Sequence, residues 1–148
     1  MTMSLRSVEP WTRLKGMWAV LLGGFCAVGI SCFFGSILGG LWLRFAVWNG
    51  ASIQEAYAAL MASSGSLGYW LALLPQAVAG AIGGYVAARG SERPVLYAAL
   101  SSLVYLCFVG VTYINPSSQV APFSYLLISL VLPVTSAVLG GVFYARAT

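Results

Sequence analysis

Few side chains in this sequence could act on another molecule from within apolar surroundings: Gln76, Tyr105, Thr135, Ser101, Ser102, Ser129 and Ser136. Gln76 directly follows Pro75, which has no N–H and so frees a backbone carbonyl one turn earlier. An amide there could line a pore or touch a substrate. It equally suits a hydrogen bond between helices, worth about 1 kcal/mol in a membrane, and that is the preferred reading. Tyr105 is likewise suited to tie helices together through its hydroxyl, and Ser and Thr within helices commonly bond their own backbone. Catalysis would need an activated nucleophile or a metal. The chain has neither Asp nor His, and Glu9, Glu55 and Glu92 fall in the tail or the connections. Cys26, Cys32 and Cys107 form no CxxC pair, so a zinc, haem or iron–sulfur site lacks ligands. The expectation is a protein that is not an enzyme, with no catalytic residue, metal site or cofactor.

The elements that carry these residues follow from composition. Hydrophobic residues make up 60% of the chain and charged ones 7%, against about 25% charged in an ordinary soluble domain. A spanning helix needs about 20 apolar residues. Four stretches qualify, at about 17–43, 69–88, 95–114 and 123–144. Their unbroken runs lack the alternation of barrel strands. The fold class expected is therefore all-α: a polytopic membrane protein with one four-helix domain over 1–148. The first run, about 27 residues, is roughly 40 Å long against a hydrocarbon core of about 30 Å, so it must tilt, kink or protrude. It also exceeds a signal-peptide core and lacks an A-x-A site, which marks it as an uncleaved span.

Charge placement sets the expected orientation. Arg6, Arg13, Lys15, Arg89, Arg93 and Arg146 share one side if the spans alternate, and only Arg44 falls on the other. The positive-inside rule then places both termini in the cytoplasm. The net charge of +4 is thereby a topology signal, and no nucleic-acid partner is expected. Trp42, Trp48, Tyr69, Trp70, Tyr113 and Tyr125 are read as an aromatic belt at one interface, with Trp11, Trp18, Tyr97 and Tyr144 at the other.

Between the first two spans, Ser52-Ile53-Gln54-Glu55 has the capping-box pattern. Ile53, Ala56, Tyr57, Leu60 and Met61 follow at helical spacing on one face. A short amphipathic helix over about 53–62 is expected on the periplasmic surface, with one long helix running into the second span as the rival. Gly90 and Pro94 suit the end of one helix and the start of the next, and Asn115-Pro116 starts the last turn.

The spans echo one another. Gly83-Gly84 precedes Ala88-Arg89 just as Gly140-Gly141 precedes Ala145-Arg146, and each of these spans has an interior proline, Pro75 or Pro133. Cys32-Phe33-Phe34-Gly35 resembles Cys107-Phe108-Val109-Gly110. Two antiparallel hairpins from an internal duplication would explain the match. Chance would also serve, because these residue types are common in membrane helices. Small residues at every fourth position make stripes through Ala27, Ser31, Gly35 and Gly39, through Gly80, Gly84 and Ala88, and through Ala137, Gly141 and Ala145. Such stripes mark close helix contacts, inside the bundle or with another protein. Gly84 and Gly141 are expected at equivalent crossings.

The segment Gly83-Gly84-Tyr85-Val86-Ala87-Ala88-Arg89 resembles the Gly-Gly-x-x-x-Ala-Arg ending of small bacterial inner-membrane proteins of four spans. That group has no assigned activity. The resemblance implies a bacterial cytoplasmic membrane and brings no site residues. Abundant contact stripes without catalytic groups lead to an accessory, assembly or oligomer-forming subunit, whose partners are the lipid bilayer and either another membrane protein or further copies of the chain. The alternative is a small oligomeric channel or carrier for an uncharged solute, built around the Pro75 and Pro133 kinks.

Orientation is testable with a membrane-impermeant thiol reagent on intact cells expressing a variant without native cysteines. Ser118→Cys should react readily and Ser91→Cys should not; reaction at Ser91→Cys would overturn the assignment.

Overall fold

The computed structural model describes residues 10–62, 67–89, 91–114 and 123–148. These residues form α1 (Pro10–Trp48), α2 (Ile53–Ala62), α3 (Leu67–Ala88), α4 (Pro94–Ile114) and α5 (Phe123–Ala147). The expectations for Arg6, Glu9, Gly90 and the Asn115-Pro116 turn lie outside the described residues. All the described elements are helical, and α1, α3, α4 and α5 are long and apolar enough to cross a membrane. α1 runs well past its apolar core at both ends. Its 39 residues correspond to roughly 58 Å, about twice the hydrocarbon thickness.

Helix ends follow local chemistry. Gly50 adopts φ +87°, a region that favours glycine. The Ala51 N–H donates to Ala46 O at 3.0 Å and the Gly50 N–H to Val47 O at 3.0 Å, which together make a Schellman motif that closes α1. The capping box then opens α2. Ser52 donates to Glu55 Oε2 from both its N–H and its hydroxyl, at 2.8 Å each, and the Glu55 N–H donates to Ser52 Oγ at 3.2 Å. The backbone bond from Ser52, then its hydroxyl, holds the Glu55 carboxyl below its ordinary value. Pro94 begins α4, where its missing N–H and fixed φ cost nothing.

The contacts fix the direction of each helix pair. α1 runs antiparallel to α3, with Gly23 against Gly83 and Trp42 against Gly68. It runs parallel to α4, with Gly16 against Tyr97 and Gly24 against Val104. α3 and α5 are parallel, with Tyr69 on Tyr125 at one end and Tyr85 on Tyr144 at the other, both edge-to-face at 5.5 Å between ring centroids. α3 is the central element, packed on α1, α4 and α5, and 50% of its apolar stretch is buried against 17% for α1.

Small residues make this centre. A Cβ on Gly80 would lie 2.7 Å from the Pro133 carbonyl oxygen, and one on Gly84 would strike the Ala137 carbonyl. On the other face of α3, a Cβ on Gly83 would lie 2.6 Å from Gly23 O and 2.8 Å from the Ala27 Cβ. The α5 pair divides in the opposite sense. Gly140 sits on Ala81 and Tyr85 of α3, whereas a Cβ on Gly141 would lie 2.6 Å from the Ala98 Cβ of α4. Gly84 and Gly141 thus occupy different crossings, contrary to the expected equivalence. The residues that share a role are Gly83 and Gly141, which stand at the same distance beyond Pro75 and Pro133.

Two belt residues also differ from expectation. Tyr69 and Tyr125 are 1% and 4% exposed and form a core cluster with Leu73, while Trp48 and Trp70 remain outside. The phenol rings at 69 and 125 face each other across parallel helices, so their apolar area goes to packing rather than to the lipid interface.

Gly84→Ala should lower the stability of the isolated chain by about 1–3 kcal/mol, the usual cost of overpacking. Gly35→Ala should be neutral or stabilising by up to about 1 kcal/mol, because nothing opposes its Cβ and helical glycine is costly. Reversible unfolding in detergent measures both, and a reversed order would refute the packing described.

Candidate functional site

Six of the seven polar residues singled out from the sequence separate into two sets, and the seventh, Ser136, is buried against Gly80. Ser101, Ser102 and Ser129 are buried and donate to carbonyls of their own helices, at 2.8, 2.6 and 2.9 Å. Thr135 does the same toward Val131 and Leu132. These hydroxyls are occupied locally, as is common in membrane helices. Gln76 and Tyr105 instead reach across helices and border one crevice.

The crevice lies between α1, α3 and α4, along the part of α1 that leads toward α2. Near Gly23, Gly24 and Ala27, α1 is in close contact with α3 and α4. Further along the same helix, a Cβ on Gly35, Gly39 or Gly40 would meet nothing within 4 Å. α2 is placed to hold this gap open. It packs on both α1 and α3, its Ala56 is 1% exposed, and Trp42 Nε1 donates to the Ala56 carbonyl at 3.1 Å.

One part of the crevice, about 380 Å³, is bordered by Ser31, Cys32, Gly35, Gln76, Tyr105 and Phe108, among others. An adjoining part of about 430 Å³ shares Gly35 and Ser36 and continues past Gly39 and Gly40 to Leu43 and Leu71. Ser31 Oγ and Tyr105 OH are hydrogen-bonded at 2.9 Å, linking α1 to α4. Gln76 Nε2 donates to Tyr125 OH at 3.4 Å, while Gln76 Oε1 is buried with no hydrogen-bond partner among the described residues. A buried amide oxygen left in that state costs about 1–3 kcal/mol.

Of the small residues expected at helix contacts, Gly80, Gly84, Ala137 and Gly141 sit at close crossings inside the bundle, and Gly35 and Gly39 border the crevice. Sequence reasoning did not single out Ser36; Ser31 entered only through the fourfold spacing, and Cys32 only through the cysteine spacing and the echo with Cys107. No group of three or more His, Cys, Asp or Glu is positioned to hold a metal among the described residues. The Ser31 and Tyr105 hydroxyls and the Gln76 amide are engaged in bonds between helices, and an attacking group would need a base beside it.

Comparison with protein-family models, curated proteins and solved structures finds no match to this chain.

The Ser31–Tyr105 bond can be weighed by a double-mutant cycle with Ser31→Ala and Tyr105→Phe. A coupling near 0.6 kcal/mol, the average for hydrogen bonds between membrane helices, is expected. Zero coupling would show that the two hydroxyls do not meet in the bilayer.

Proposed function

We propose that this is a non-enzymatic subunit of the bacterial cytoplasmic membrane, acting through helix contacts as an accessory or assembly component or as an oligomer. In this reading both termini are cytoplasmic, the spans form two antiparallel hairpins of duplicated origin, and α2 lies on the periplasmic face. The basic residues support the orientation.

The observation that carries the contact role is an exposed line of small residues on α1. Cys32, Ser36 and Gly40 follow one another at every fourth position, and all three are exposed. They sit beside the stripe expected from the sequence, and together with its Gly35 and Gly39 they border the crevice. Small residues at this spacing let a second backbone approach closely where the lipid supplies no drive of its own. α1 is also the least buried of the spanning helices.

The crevice favours a second reading, as a carrier for an uncharged solute. A channel lined by the proline kinks is less well supported, because Pro75 and Pro133 are buried and Pro133 packs on Gly80.

Thiol cross-linking in native membranes tests the subunit role. In a variant without native cysteines, Ser36→Cys should give a discrete higher-mass adduct, and Leu139→Cys, exposed on α5, should not. Equal adducts from both positions, or none from Ser36→Cys, would refute the α1 contact. The adduct mass separates a second copy from a foreign partner.

A further inference from the structure

We infer that the groove between α3 and α5, at the end where Arg89 and Arg146 lie, holds an acyl chain of an anionic phospholipid whose phosphate is received by those two arginines. The groove has a volume of about 340 Å³ and is bordered by Ala81, Ile82, Tyr85, Leu139, Gly140 and Phe143. Its floor is the close crossing at Gly140, where the missing side chain lets α5 rest on the backbone of Ala81 and Tyr85. Its rims are bulky. Leu139 and Phe143 are 67% and 72% exposed, and Ile82 is exposed on the opposite wall. Of these lining side chains only Tyr85 carries a polar atom.

Each wall of this groove leads to an arginine. On α3, Ile82, Tyr85 and Arg89 are three and then four residues apart, and on α5, Leu139, Phe143 and Arg146 are four and then three apart. Residues at these spacings share a helix face. The Arg89 N–H still donates to Tyr85 O at 3.3 Å, so the helical register of α3 extends to it. Because α3 and α5 are parallel, with Tyr85 on Tyr144, both arginines stand about one turn beyond the groove at the same end. The Arg89 guanidinium lies 5.9 Å from the Tyr85 ring centroid, within the range of a cation–π contact, which holds it over its wall. Both arginines are exposed, and the connection after α3 carries Glu92 beside Arg93 and adds no net charge. The guanidinium fork matches phosphate oxygens, and basic positions at the interface between helices favour anionic headgroups. A second helix is a poor occupant, since close approach needs small residues and Leu139 and Phe143 project instead. A flexible acyl chain can lie between them.

The site involves neither α1 nor its partner contact, so its test is independent of the subunit role. The probe is phosphatidylglycerol with a diazirine in the upper part of one acyl chain, presented to the purified chain in phosphatidylcholine nanodiscs. Phosphatidylcholine bearing the same diazirine is the comparison. The anionic probe should label residues 81–85 and 139–143 more strongly than the zwitterionic one. Added unlabelled phosphatidylglycerol should displace it, whereas inorganic phosphate should not. Arg89→Gln and Arg146→Gln should each weaken labelling about fivefold, and together about 25-fold, as expected for cations at an anionic headgroup. Arg93→Gln, on neither wall, should leave it unchanged. All three side chains are exposed, so the variants should keep the thermal stability of the parent. Equal labelling by the two lipids would overturn the inference and show an ordinary acyl-chain surface. An effect of Arg93→Gln as large as that of Arg89→Gln would overturn it in favour of diffuse surface charge. Displacement by inorganic phosphate would overturn it by assigning the arginines to a free anion.

Discussion

The bundle depends on how closely α3 can approach its neighbours. Between helices in lipid there is no hydrophobic drive, because acyl chains are as apolar as the side chains they would replace. Cohesion must come from backbone proximity and the dense van der Waals contact it permits. Gly83 and Gly84 supply that proximity in two directions, one toward Gly23 and Ala27 of α1 and the other toward Ala137 of α5. Neighbouring residues on a helix point to different sides, so a Gly-Gly pair gives one helix two close crossings at the same depth. Gly140 and Gly141 do likewise for α5, toward α3 and α4. The double glycines are hence joints between three helices, and a side chain at either would separate a pair of backbones.

The same geometry produces the crevice. α1 is held tightly near Gly23 and Gly24, while at its other end α2 stands against both α1 and α3. At that end Trp42 fills the space between α1 and Gly68 of α3, while the glycines of α1 before it present no side chain. The capping box of α2 and the Schellman closure of α1 fix the short connection that keeps α2 there. Gln76 borders this space, and its amide oxygen is buried with no hydrogen-bond partner among the described residues.

Much of this was legible in the sequence. The four apolar runs gave the all-helical class, and Ser52 and Glu55 marked the start of α2 through a local rule that needs no tertiary knowledge. The end of α1 was not read from the sequence, where the apolar run suggested a shorter helix; Gly50 is the local signal that marks it. What sequence could not give was the partner of each face. Glycine spacing announces close approach without saying to what, so Gly84 and Gly141 looked equivalent and meet different helices. Tyr69 and Tyr125 resembled interfacial aromatics because position along a span is readable and rotation about its axis is not. Gln76 was identified as the polar residue to watch, but its bond to Tyr125 depends on how α3 packs on α5, which sequence does not show.

Solid-state NMR of the uniformly labelled protein in bilayers tests the central claim most directly, because it leaves every glycine in place. The account predicts a through-space cross-peak between Gly84 Cα and the Ala137 carbonyl, with no acyl-chain signal at Gly84. It predicts the reverse at Gly39, where contact should be with acyl chains and not with α3. Acyl-chain contact at Gly84, or close contact between Gly39 and α3, would contradict it.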